Sequence, residues 1–99
     1  VERPHSTGLG GGGFLMFFEK ASNKVYAFDF REVAPHRSRS GMYLNKKGET
    51  QPLLSQEGVL AVAVPGLVRG LWDIHQRFGK LPWKDCVAPA VKVAREGFP

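Results

Sequence analysis

Two stretches, "GFLMFFEK" (13–20) and "VYAFDFRE" (25–32), constrain the fold more than any others in the chain. Each is a short aromatic-rich apolar run bounded by polar residues, which is strand chemistry. The "ASNK" between them supplies Ser-Asn turn residues at hairpin length. Side chains alternate along a strand, so Leu15 and Phe17 face one way and Phe14, Met16 and Phe18 the other. In the second run Tyr26, Phe28 and Phe30 lie opposite Val25 and Ala27. Both faces of the hairpin are therefore apolar. Such a sheet has to be covered on both sides, which takes more protein than 99 residues supply.

Part of the cover is readable downstream. Pro65-Gly66 opens a helix over 67–78 with Leu67, Leu71, Ile74 and Phe78 on one stripe, and Gly79 sits at its C′ position. Pro82 suits the first turn of a second helix, 82–96, whose apolar face is Val87, Ala90, Val91 and Ala94. Pro89 lies inside that helix and Gly97 ends it. "VLAVAV" (59–64) reads as a third, buried strand. Residues 36–56 are polar and turn-rich, with room for one helical turn around Ser40 to Leu44. The expectation is an α+β arrangement: a β-hairpin, a third strand and two covering helices. Val1 is not an initiator Met and Pro99 follows directly on a helix stop, so both ends read as truncations and residues 1–99 as an internal segment of a longer chain.

Composition narrows the function classes. A hydrophobic content of 42% is globular, and no run of eighteen apolar residues is present to span a membrane. The net charge of +5 is spread along the chain. Only "HRSR" (36–39) and Lys46-Lys47 cluster, without the interleaved aromatics of a nucleic-acid surface. Cys86 is the only cysteine, which excludes an internal disulfide and a zinc knot; set among apolar residues, it is expected to pack as a small hydrophobe. His5, His36 and His75 have no metal spacing, so no metal and no cofactor is expected. His75 reads as a helix-surface residue.

Gly8 to Gly13 satisfies G-x-G-x-x-G, the dinucleotide fingerprint. That motif must leave a strand and open a helix, and here it leads into a strand. A Walker-type loop is excluded because no Lys follows until Lys20. Ser6 and Thr7 beside His5 lack an acidic partner for a catalytic triad. Arg69, Asp73 and Arg77 have the four-residue spacing of helix-surface pairs, and Trp72 and Trp83 read as packing residues. Arg31 stands apart. It ends a strand otherwise filled by aromatics, with Asp29 and Glu32 beside it, and a guanidinium there offers a planar fork to a carboxylate. From the residues alone a structural ion pair with Asp29 or Glu32 is the commoner use, with carboxylate binding as the alternative.

Three stretches together resemble a known family: "PHSTGLGGGGF" (4–14), "DFREVAPHRSRSGMY" (29–43) and "AVPGLVRGLWDIHQRFGKLPWKDCVAPAVKVAREGFP" (63–99) are similar to part of the large chain of the γ-glutamyltranspeptidases. The resemblance implies a segment of an N-terminal-nucleophile hydrolase, a four-layer αββα sandwich made as a self-cleaving zymogen. It implies that the nucleophilic Thr lies downstream, on a small chain that is the segment's protein partner, so residues 1–99 hold no catalytic residue and are inactive alone. The whole enzyme would cleave the γ-glutamyl amide of glutathione and related compounds through a γ-glutamyl ester, then pass the acyl group to water, an amino acid or a dipeptide. The Arg of R-E-x-A-P, here Arg31, is similar to the one that grips the α-carboxylate, with Asp29 and Glu32 orienting it; this reverses the ion-pair preference and expects a buried fork. A periplasmic, secreted or cell-surface location is implied as well. The alternatives are a glutaryl-type acylase of the same fold, or a non-catalytic anion-binding module using Arg37, Arg39, Lys46 and Lys47.

Overall fold

The structure is a computed structural model and describes residues 3, 5, 6 and 8–97. It divides into two compact units, residues 1–32 with 65–99, and residues 33–64.

In the first unit β1 (Phe14–Glu19) and β2 (Lys24–Asp29) form an antiparallel hairpin, in register from Phe14 opposite Asp29 to Glu19 opposite Lys24. Asn23 turns the chain with φ of 53°, a left-handed conformation that Asn tolerates better than most side chains. The Glu19 carboxylate accepts hydrogen bonds from the Ser22 hydroxyl and, at 3.3 Å, from Tyr26 Oη, fastening the turn to the strands. β2 ends three residues before the sequence predicts. Phe30 still exchanges backbone hydrogen bonds with Gly13. The next N–H, on Arg31, donates instead to Asp29 Oδ1 at 3.0 Å, a local side-chain bond that takes the backbone out of the ladder.

Helix α1 (Leu67–Phe78) covers one face of the hairpin. The Phe78 ring lies 4.5 Å from Phe17, 5.0 Å from Tyr26 and 6.0 Å from Phe28. These are favourable aromatic separations. The Arg77 guanidinium sits 5.5 Å from the Tyr26 ring and 5.4 Å from the Phe28 ring, adding a cation–π contact. The opposite face is bare: Phe14, Met16, Phe18 and Val25 are 68%, 76%, 55% and 59% exposed, and no described residue is fully buried. The sheet thus presents the two apolar faces read from the sequence, and among the described residues nothing covers one of them.

Helix α2 (Trp83–Glu96) runs through Pro89 and stops at Gly97, whose φ of 83° favours glycine. Trp83 packs edge-on against Trp72 at 5.3 Å, so the two tryptophans pack, as expected. His75 is not the simple surface residue predicted. Its ring lies 5.2 Å from Trp83, and its Nε2 is 2.8 Å from the Leu81 carbonyl; a carbonyl only accepts, so Nε2 carries the hydrogen. Gly79 caps α1 without the left-handed conformation of a C′ glycine. Its φ is −66°, and it is glycine because a Cβ there would meet the His75 carbonyl and ring. Cys86 is exposed rather than packed, because α2 turns it towards an open apolar groove.

The second unit corrects the predicted third strand. Residues 59–64 begin as a 3-10 turn, Val59–Ala61, after Gly58 with φ of 79°. Only Val64 pairs, in a single bridge to Val33. A β-branched run needs a neighbouring ladder to become a strand, and the described residues offer it one bridge. The Ser40–Leu44 region forms successive turns rather than a helical turn, closed by Met42 N–H to Arg39 O and Leu44 N–H to Gly41 O. Tyr43 Oη donates to the Leu60 carbonyl at 3.2 Å.

An apolar strand face this open binds hydrophobic probes and self-associates. The isolated 99-residue chain is expected to enhance the fluorescence of anilinonaphthalene sulfonate and to sediment as a concentration-dependent mixture. Met16→Glu, a charge on the bare face, should reduce both effects, whereas Glu57→Lys should change neither.

Candidate functional site

The glycine segment and the start of α1 meet through backbone alone. The Gly11 carbonyl accepts hydrogen bonds from Gly66 N–H at 3.1 Å and Leu67 N–H at 3.0 Å. These are donors that a helix start otherwise leaves open for an anion, and Gly66 provides no side-chain cap of its own. The segment therefore cradles no phosphate at this helix. Its neighbour Gly12 runs against the turn after β2, where a Cβ would come within 2.8 Å of Arg31 Cα and of Glu32 N. Glycine serves here for closeness of approach rather than for positive φ.

That contact places Arg31. Its backbone is held by Gly12 on one side and by the Asp29 carboxylate on the other, yet its side chain is 62% exposed. The buried fork expected from the sequence is absent, because β2 has already ended and no described element passes over the guanidinium. Arg31 Nε lies 3.1 Å from Glu32 Oε2, and Cζ lies 6.0 Å from the centre of the Phe14 ring. The guanidinium thus sits beside the bare face of the sheet. The Glu32 contact is an ion pair without a hydrogen bond: Oε2 is shielded from solvent and accepts none. Such a pair is held by charge and leaves the guanidinium fork free for another carboxylate.

The three residues singled out from the sequence do come together, in unequal roles. Asp29 fixes the Arg31 backbone, Glu32 pairs with its side chain, and the guanidinium faces outward. A cavity of about 270 Å³ on the other side of this turn is lined by Asp29, Phe30, Gly66, Gly70, Arg69 and Asp73 among others. Arg69 Nε donates to both Asp73 carboxylate oxygens, at 2.9 and 2.8 Å, and this hydrogen-bonded partner raises the Arg69 pKa. Arg69 and Asp73 are thus the helix-surface pair expected, while Arg77 turns to the aromatic face instead. Thr7 lies outside the described residues. Among those described, no cluster of His, Cys, Asp or Glu could hold a metal ion, and no helix is long and apolar enough to cross a membrane. Sequence reasoning missed the glycines at 66 and 70, whose only signal was a glycine at the start and another in the middle of a helix.

The chain matches the family described as gamma-glutamyltranspeptidase over residues 1–99. It is 46% identical over 98 residues to a glutathione hydrolase proenzyme of Pseudomonas aeruginosa, covering 99% of this chain and 17% of that protein. It is 41% identical over 98 residues to glutathione hydrolase 3 of Arabidopsis thaliana, covering 99% of this chain and 15% of that one. Among solved structures, the gamma-glutamyltranspeptidase of Pseudomonas nitroreducens complexed with L-DON superposes with a TM-score of 0.90 at 46% identity, over 96% of this chain and 28% of its own. The chain therefore spans about a sixth of the length of the curated relatives it matches. With every residue from 1 to 99 inside the match, and with strands and helices superposing on solved members, the chain belongs to the gamma-glutamyltranspeptidase family.

Proposed function

We propose that residues 1–99 are an internal segment of the large chain of an enzyme that cleaves γ-glutamyl amides, and that Arg31 is its clamp for the substrate α-carboxylate. One observation carries the site assignment: a guanidinium whose backbone is locked by Gly12 and Asp29 projects, 62% exposed, at the edge of an apolar sheet face. A fixed base with a free planar head is what bidentate carboxylate recognition needs. The ion pair with Glu32 keeps that head oriented before substrate arrives.

The bare face of Phe14, Met16, Phe18 and Val25 is the surface on which the second sheet of an αββα sandwich would pack. The nucleophilic Thr, on the small chain, would reach the reaction centre from that side. Its hydroxyl attacks the γ-carbonyl of glutathione or a related compound, the amine leaves, and a γ-glutamyl ester remains for water or an acceptor amine to take. Arg31 contributes position: holding the far carboxylate fixes the γ-carbonyl in front of the nucleophile. A glutaryl donor keeps that carboxylate and lacks only the α-amine, so Arg31 would serve it too, and discrimination between the two would fall to groups that recognise the amine. Family membership also favours a periplasmic, secreted or cell-surface location.

The test is made on the full-length parent protein with two anilide donors, γ-glutamyl and 4-aminobutanoyl, the second lacking only the α-carboxylate. A hydrogen bond to a charged group contributes about 1.5–3 kcal/mol, so Arg31→Met should raise KM for the γ-glutamyl donor roughly ten- to a hundred-fold and leave turnover of the other donor unchanged. Equal KM values for wild type and Arg31→Met would refute the clamp. Glu32→Gln should shift stability in urea by less than about 1 kcal/mol, the range of partly exposed ion pairs; a larger loss would make the pair a structural one.

A further inference from the structure

We propose that Gly66, the N-cap of α1, and Gly70 within the helix, acting through Phe30, are positioning residues for Arg31, so that the register of the helix against the sheet sets the substrate clamp. This rests on Arg31 being the carboxylate clamp and goes beyond it by naming what fixes its place.

Gly66, Gly70, Ile74 and Phe78 are four residues apart and form one row along the helix. The row ends in a phenyl ring over the hairpin and has no side chain at the two positions nearest the Arg31 turn. A Cβ on Gly70 would lie 2.8 Å from Phe30 Cδ1, and Phe30 Cγ and Cβ are nearer still. A Cβ on Gly66 would lie 2.9 Å from the Phe30 carbonyl carbon and 3.0 Å from Arg31 O, with Phe30 O nearer still. On the far side, Gly13 leaves space for the same ring, whose Cε2 would be 3.2 Å from an added Cβ. Phe30 is thus seated between three glycines from two distant parts of the chain, and Arg31 is the next residue.

None of these glycines has positive φ, so conformational freedom does not account for them. Gly70 even weakens its helix relative to Ala. Contact accounts for them all. Because the Phe30 Cβ itself blocks a methyl at 70, rotating the ring does not make room. The end of β2 has to retreat by roughly 1 Å to reach ordinary carbon–carbon contact. A displacement of that size at a group that orients substrate can cost about a hundred-fold in rate.

The experiment uses the full-length parent protein and the same two donors. Gly70→Ala should lower kcat/KM for the γ-glutamyl donor at least ten-fold relative to the 4-aminobutanoyl donor, by way of KM. Gly10→Ala, where an added Cβ meets nothing within 4 Å, should alter neither. A merely structural role for Gly70 would lower both donors alike, and that result overturns the inference. Should Gly70→Ala not accumulate as folded protein, Phe30→Ala carries the same test without overpacking: the donor ratio should fall, and an unchanged ratio overturns the inference. If Arg31→Met leaves the γ-glutamyl KM unchanged, the clamp itself fails and the inference falls with it. If Arg31→Met raises that KM and neither Gly70→Ala nor Phe30→Ala moves the ratio, the inference alone is wrong.

Discussion

Everything around the candidate site depends on the approach of three backbone segments to one another with no side chains between them. The Gly11 carbonyl takes the N–H groups of the N-cap Gly66 and of Leu67, the first residue of α1, Gly12 lies against Arg31 and Glu32, and Gly66 lies against Phe30. Backbone-to-backbone contact is stiffer than contact through side chains, since it has no rotamers to yield. Close approach also accounts for Gly12 and Gly13 in the glycine-rich run before β1, which in isolation looks like a nucleotide motif. The helix start that would have faced a phosphate is hydrogen-bonded within the chain instead.

From that junction the structure grades outward. On the α1 side the sheet is covered, by glycine near Phe30 and by Phe78 over Phe17, Tyr26 and Phe28. On the other side it is bare, and Arg31 projects at the edge of the bare surface next to Phe14. A rigid support behind and an open apolar face in front suit a segment that completes its site by packing against further protein. On the proposed reading, the same arrangement explains why Arg31 is exposed in these 99 residues: the clamp would be enclosed only once a second layer packs on the bare face.

The helices and the hairpin were legible in the sequence because their signals are local. Leu67, Leu71, Ile74 and Phe78 fall on a helical stripe punctuated by Pro65-Gly66 and Gly79, and α1 spans the residues so predicted. The alternation in 13–20 and 25–32 gave both strands and the two apolar faces. "VLAVAV" misled because a β-branched run states a preference, not the presence of a partner strand, and only Val64 finds one, at Val33. The exposure of Arg31 was illegible for a related reason: burial belongs to the surroundings, not to the residue. Gly66 reads as helix punctuation and Gly70 carries no signal of its own, since the partner that requires them, Phe30, is more than thirty residues away in sequence.

A crystal structure of the full-length parent with a γ-glutamyl donor or its acyl intermediate bound tests the role of Arg31 directly. The expected result is the Arg31 guanidinium hydrogen-bonded to the α-carboxylate at about 2.7–2.9 Å, with Phe30 still seated on Gly70. An α-carboxylate held by other groups, with Arg31 still paired only to Glu32, would contradict it.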